Sequence, residues 1–158
     1  EPLVLSSRIA GETRDAAGGH VAIGQEIVST SQPIRAPACI ISGGETTVTL
    51  TATAGKGGRN QEFALAAAID LQGGLRARGR QPQITVLSAG TDGTDGPTDA
   101  AGAIADAWTV ERGRRAGLVA DDHLMTNDAY PFFAALDDLI MTGPTGTNVM
   151  DLRLVLVS

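Results

Sequence analysis

Three glycine-rich polar runs constrain this chain most: Gly55-Lys56-Gly57-Gly58-Arg59-Asn60-Gln61-Glu62, the stretch Ser88–Asp99, and Thr142-Gly143-Pro144-Thr145-Gly146-Thr147-Asn148. Each follows or adjoins an apolar, strand-like segment. Glycine lets backbone N–H groups approach a ligand closely, while Thr, Asn and Asp supply short polar contacts. Folding alone does not call for three such loops. They predict a site for an oxygen-rich, phosphorylated ligand.

The chain has 158 residues, one domain's worth, and can bury most of its apolar surface. Aromatic residues make up only 3%, so the core must be built from Ala, Val, Ile and Leu. A net charge of −6 argues against a general nucleic-acid binder. It leaves room for a small anion, because the pair Lys56 and Arg59 can dominate its own loop. The single cysteine, Cys39, has no partner for an internal disulfide and fits a reducing compartment. Its expected place is a small buried site beside Ile40 and Ile41. No apolar run approaches the roughly 20 residues of a membrane span, and the start does not resemble a signal peptide. Glu1 stands directly ahead of Leu3-Val4-Leu5, as if a strand were entered mid-sequence, so the chain is expected to be a piece of a longer protein.

Strand-like and helix-like segments alternate. After a strand at Leu3–Ser6, apolar spacing predicts a helix over Ile9–Val28, weakened at Gly18-Gly19 by about 1 kcal/mol per glycine. A connection from Ser29 to Pro37 leads to a buried strand, Ala38–Ser42, ending at Gly43-Gly44. The alternation of Thr with Val48, Leu50 and Ala52 predicts a half-exposed strand over Thr46–Thr53, antiparallel to its neighbours. Asn60–Leu71 reads as a helix with Phe63, Ala67 and Leu71 on one stripe, Asn60 as its N-cap and Glu62 facing its positive end. Ile84–Ser88 is a strand broken by Gly90. Ala100–Ala116 is expected to be mostly helical, interrupted near Ala107–Thr109 and closed by Gly117. A short helix at Ala129–Leu136 and strands at Leu139–Met141 and Leu152–Val157 complete an α/β fold with a mixed sheet flanked by helices. In such sheets, ligands gather at the carboxyl ends of strands, where the second and third glycine runs would lie.

Each polar run has a chemical reading and a plainer one. Gly55–Asn60 sets two cations and three glycines before a helix N-terminus, which favours an anion; it lacks Walker A spacing, and the plain alternative is a flexible connection. Asp92, Asp95 and Asp99 are closely spaced carboxylates that need a cation or donors to coexist, and hard oxygen ligands suit Mg²⁺. Their spacing is not that of an EF-hand, and turn-capping is the alternative. Thr145, Thr147 and Asn148 would hold phosphate or hydroxyl groups, unless the run is a plain Pro-Gly turn. His20 and His123 lack metal-ligand spacing and are expected at the surface or at caps. Trp108 and Tyr130 are expected in the core or at its edge.

Taken together, Ser42–Val48, Gly55–Ala64, Ala89–Ala103, Asn127-Asp128-Ala129-Tyr130 with Phe132-Phe133, and Thr142–Leu152 resemble the signature blocks of the MOFRL domain. That domain is the carboxy-terminal half of the class II glycerate kinases, the glycerate 2-kinases. The resemblance spans Ala38 to Val157 and divides the chain into a joining segment, 1–37, and a MOFRL-like domain, 38–158. One departure is Ala129, where many relatives carry Ser. The resemblance implies ATP-dependent phosphorylation of D-glycerate to 2-phosphoglycerate with Mg²⁺, in the cytoplasm, and leaves room for a homodimer. It also implies an amino-terminal α/β domain and an active site in the cleft between the two, so that these 158 residues alone would be inactive.

Site roles follow from the same resemblance. Arg59 and Lys56 would offset charge on the transferring phosphoryl group or the glycerate carboxylate. Gly57, Gly58, Asn60, Glu62, Thr145, Gly146, Thr147 and Asn148 would hold substrate or nucleotide, and Asp92, Asp95 and Asp99 would position Mg²⁺ or a substrate hydroxyl. Asn127 and Asp128 would contact substrate or cap the following helix. Members often carry an older label, hydroxypyruvate reductase, yet no G-x-G-x-x-G follows a strand here. The rivals are that reductase and a non-catalytic domain binding a phosphorylated metabolite.

Overall fold

Alternate burial along Ala38–Gly44, Ile84–Gly90 and Asp151–Val157 makes three strands whose every second residue faces a helical layer. The computed structural model describes residues 1–74 and 84–158. Its strands are β1 (Pro2–Ile9), β2 (Ala38–Gly44), β3 (Ile84–Gly90), β4 (Gly102–Asp106), β5 (Leu139–Ile140) and β6 (Asp151–Val157). The helices are α1 (Thr13–Thr30), α2 (Arg59–Gly74), α3 (Thr109–Arg115), α4 (Ala120–Met125) and α5 (Ala129–Leu136).

The strands form one mixed sheet in the order β1-β2-β6-β3-β4-β5. β1 and β2 are parallel, and every other neighbouring pair is antiparallel. The carboxyl ends of β1, β2, β3 and β5 therefore share one end of the sheet with the amino ends of β4 and β6. The second and third glycine runs leave the sheet at that end, as expected.

Ile40, Val86, Val155 and Val157 face α1 and α2, where Val21, Ile27 and Phe63 complete one core cluster. A second cluster joins Ala103 and Ala105 of β4 to Leu65 of α2 and to Phe132 and Phe133 of α5. With so few aromatics, alanine sets the spacing. Ala64, Ala66, Ala67 and Ala68 of α2 are all buried, so this helix is packed around most of its girth. The other face of the sheet is apolar too: Val4, Ile41, Leu154, Leu87 and Ile104 stand in register across five strands. Part of it is open, with Leu152, Leu156 and Ile104 exposed. Cys39 lies in the row beside Leu156, half-buried rather than in the core.

Several expectations are corrected. Gly102–Asp106 is a strand within the segment expected to be helical, and helix begins only at Thr109. Pairing with β3 and close packing under α2 override alanine's helix propensity. Gly102 lies so close to the Ser88 carbonyl that a Cβ has no room. Gly117, with φ +80, does close that helix. Thr46–Thr53 is not a strand: apart from one bridge between Glu12 and Thr47 it is irregular, with Leu50 exposed. Its backbone is instead tied to the start of α1 and to the Asn127 side chain. Ile9 belongs to β1, and Gly18-Gly19 sits within an unbroken α1, with Gly18 against Asp70 of α2. β3 runs through Gly90 rather than ending before it, and α4 was not expected. Trp108 is 54% exposed instead of core, and His20 is buried instead of superficial.

Candidate functional site

The second glycine run ties the other two together at the strand ends. Asp95 reaches under the start of α2, where its carboxylate accepts the backbone N–H groups of Asn60 (3.0 Å) and Gln61 (2.8 Å) and the Asn60 side-chain amide (3.2 Å). Asp95, not Asn60, therefore caps this helix, which begins at Arg59. Gly58 is the residue that allows this approach, because a Cβ there would overlap the Asp95 carboxylate. On the other side, Thr145 donates its N–H to the Asp92 carbonyl (3.1 Å) and its hydroxyl to the Thr91 carbonyl. Asn148 Nδ2 donates to the Asp92 carboxylate (3.3 Å).

Arg59 stands at the junction. Its Nε donates to Asp151 Oδ2 (2.8 Å) and its Nη2 to Asp151 Oδ1 (3.0 Å), a two-pronged contact across 92 residues of sequence. Nη1 meets Glu45 Oε1 at 2.9 Å. The Arg59 side chain remains 32% exposed and Glu45 54%, whereas Asp151 is wholly buried. Hydrogen bonds from Arg59 to Asp151 raise the guanidinium's pKa above the ordinary arginine value, so the cation is secure at any working pH. Among the described residues, an anion arriving here meets a guanidinium anchored on its buried edge by Asp151 and shielded on its open edge by an exposed glutamate, a contact of small net worth.

Comparison with known proteins adds identity to this geometry. The MOFRL family model matches residues 38–151. The chain belongs to the MOFRL family. It is 42% identical over 154 residues to a D-glycerate 2-kinase of Thermotoga maritima, covering 98% of this chain and 35% of that protein. It is 43% identical over 157 residues to an Agrobacterium vitis protein provisionally named hydroxypyruvate reductase, covering 99% of this chain and 39% of the relative. The crystal structure of a Thermotoga maritima glycerate kinase superposes with a TM-score of 0.91 at 40% identity, over all of this chain and 36% of that one. This MOFRL chain thus spans well under half the length of these relatives.

Lys56 lies with Nζ 3.6 Å from the Tyr130 ring centre, and the Tyr130 hydroxyl donates to Asp99 (2.7 Å). Glu62 is buried, paired with Arg14 (2.7 Å) and accepting from Asn127 Nδ2 (2.9 Å). Asp128 accepts the Lys56 backbone N–H (2.8 Å) and caps no helix through its side chain. Gly55 and Gly57 pack against Asp128 and the Asn127–Ala129 backbone, so close approach within the protein accounts for these glycines. Gly146, Thr147 and Asn148 are exposed at the rim.

The three aspartates expected to hold Mg²⁺ do not converge. Asp92 accepts from Thr94 and Asn148, Asp95 caps α2, and Asp99 meets Tyr130. Among the described residues, no group of three or more His, Cys, Asp or Glu side chains is arranged to hold a metal ion. The residues present therefore do not fit a cation site built from Asp92, Asp95 and Asp99. Sequence reasoning also missed Asp151, Arg153 and Glu45. Glu45 and Asp151 lay inside the blocks Ser42–Val48 and Thr142–Leu152, which was their only signal, and Arg153 had none.

Burial pushes Asp95 up to about 6 from an ordinary value of 3.8, the N–H groups of Asn60 and Gln61 opposing the shift. The folded chain thus holds this proton more tightly than the unfolded one. The stability that Asp95 contributes is fully present below about pH 4 and is lost as pH rises through 6. The change is at most about 3 kcal/mol. Asp95→Asn removes this dependence. Denaturant titrations should find wild type weaker relative to the variant at pH 7 than at pH 4, whereas an equal gap at both pH values would contradict the account.

Proposed function

We infer that this chain is the carboxy-terminal domain of an ATP-dependent glycerate 2-kinase, which converts D-glycerate to 2-phosphoglycerate at a site shared with an amino-terminal α/β domain. The observation that carries this is Arg59: a partly exposed guanidinium at the end of the first polar loop, held in a fixed plane by Asp151, in a chain similar to proteins named for glycerate kinase activity. ATP supplies the phosphoryl group. Arg59 offsets negative charge on that group or on the glycerate carboxylate, and Lys56 adds a second cation from the same loop. The rim formed by Thr145, Gly146, Thr147 and Asn148 contacts substrate or nucleotide. The apolar open face of the sheet supports a neighbouring domain, since an isolated sheet face normally turns polar residues to water. Among the described residues no helix is long and apolar enough to cross a membrane, and a cytoplasmic setting belongs to the proposal.

Mg²⁺ enters this reading as an accompaniment of the nucleotide, because Asp92, Asp95 and Asp99 do not gather around a cation. In a longer protein carrying this domain, EDTA should abolish ADP formation from ATP and D-glycerate, and Mg²⁺ should restore it. Asp95→Asn should leave the Mg²⁺ concentration for half-maximal rate within about twofold of wild type. Turnover indifferent to chelation would count against the kinase, and a large rise in the Mg²⁺ requirement would return Asp95 to the metal.

A further inference from the structure

Beneath Arg59 lies a buried polar cluster that stability alone does not explain. Asp151, 2% exposed, opens β6, and its carboxylate is gripped from three directions. Arg59 takes one edge, Asn60 Nδ2 donates to Oδ1 (2.9 Å), and Arg153 Nη2 donates to Oδ2 (2.8 Å). Asn60 is fixed in turn by Ser88, whose hydroxyl donates to its Oδ1 (2.6 Å). Arg153 is entirely buried, lies 5.2 Å from the Phe63 ring centre and also donates to Thr46 (3.0 Å). Among the described residues, its Nε and Nη1 have no hydrogen-bond partner.

Burying charges costs solvation that their mutual attraction rarely exceeds, and each unpartnered buried donor adds to the cost. Farther along the same inward face of β6 stand Val155 and Val157, the ordinary filling for such a position. Stability gives a charged pair no advantage over such filling, and what the pair achieves is geometric. A bidentate carboxylate fixes the plane of a guanidinium as well as its position. The arrangement leaves Nη1 as the corner turned outward to the exposed Glu45.

We propose that Asp151, locked by Arg153 and Asn60, is the positioning residue that orients Arg59 toward the anion it serves. The role assigned to Arg59 rests on the kinase reading; the orientation itself belongs to this chain and is tested separately.

The first test uses the 158-residue chain and the ¹⁵N-edited arginine Nε–H signals. The Arg59 signal should exchange slowly with water in wild type and at least about tenfold faster in Asp151→Asn, with the backbone amide pattern retained. Unchanged protection in the variant would overturn the proposal. The second test uses the longer protein and a cycle of Arg59→Ala, Asp151→Asn and the double variant. Asp151→Asn should lower kcat by about 10- to 100-fold, and the double variant should be no slower than Arg59→Ala alone within about threefold. Losses that multiply would show Asp151 acting independently of Arg59 and overturn the proposal. Should Asp151→Asn not fold, Arg59→Lys decides: it keeps the charge but not the fork, so kcat should fall nearly as far as in Arg59→Ala. Wild-type kcat in Arg59→Lys would overturn the proposal. Absence of ATP-dependent turnover in wild type would sink the kinase reading instead, and the exchange measurement would still decide the orientation of Arg59.

Discussion

Arg59→Ala, in the longer protein, is expected to lower kcat by about 100-fold or more, the range seen when one preorganised electrostatic donor is lost. The loss should fall on kcat and kcat/KM together, because a guanidinium aimed at a transferring phosphoryl group matters more in the transition state than in the ground state. The fold should survive. The side chain is partly exposed, and Asp151 retains Arg153 and Asn60 as donors when Arg59 is gone. Steady-state kinetics on the folded variant would decide the matter. Near-wild-type kcat with a raised KM alone would reduce Arg59 to a binding residue.

Arg153→Ala should have the largest effect on stability, a loss of about 3–5 kcal/mol. It removes the largest fully buried side chain, opens a void beside Phe63 and takes one donor from a buried carboxylate. The pair Asp151→Leu with Arg153→Met should recover much of that loss, because apolar groups of similar volume often replace a buried ion pair without penalty. The same double variant should nevertheless be as slow as Arg59→Ala, since it leaves Arg59 without its anchor. Denaturant midpoints set beside kcat would show the separation. A double variant that is both stable and active would mean that the buried pair serves neither purpose.

Arg59 was legible in the sequence because its signal is local: a cation between glycines and a helix start. The residues that hold it were not. Along β6, the alternation of Leu152, Leu154 and Leu156 invites the leucines inward, yet Asp151, Arg153, Val155 and Val157 take the helical side. Both faces are apolar over part of the strand, so periodicity gives no way to choose between them. The long-range contacts with Arg59 and Asn60, together with Arg153 two residues on, explain why a charged residue can be buried at Asp151. Likewise, Ala100–Ala105 reads as helix by propensity, and the pairing with the preceding strand that overrides it leaves no mark in the alanines themselves. The aspartates mislead for the opposite reason: they are close in sequence, but the turn sends Asp92, Asp95 and Asp99 to three different partners. Glycines at Gly55, Gly57 and Gly58 marked a real meeting of loops, and the close approaches they allow are to Asp128, the Asn127–Ala129 backbone and Asp95.

The kinase reading is tested most directly by two parallel assays on the longer protein. One follows ADP release from ATP in the presence of D-glycerate, with the phosphorylated product identified by ³¹P spectroscopy. The other follows NADH consumption with hydroxypyruvate. The account predicts ADP and 2-phosphoglycerate in equal amounts and no consumption of NADH. NADH-dependent turnover without any requirement for ATP would contradict it and favour the reductase.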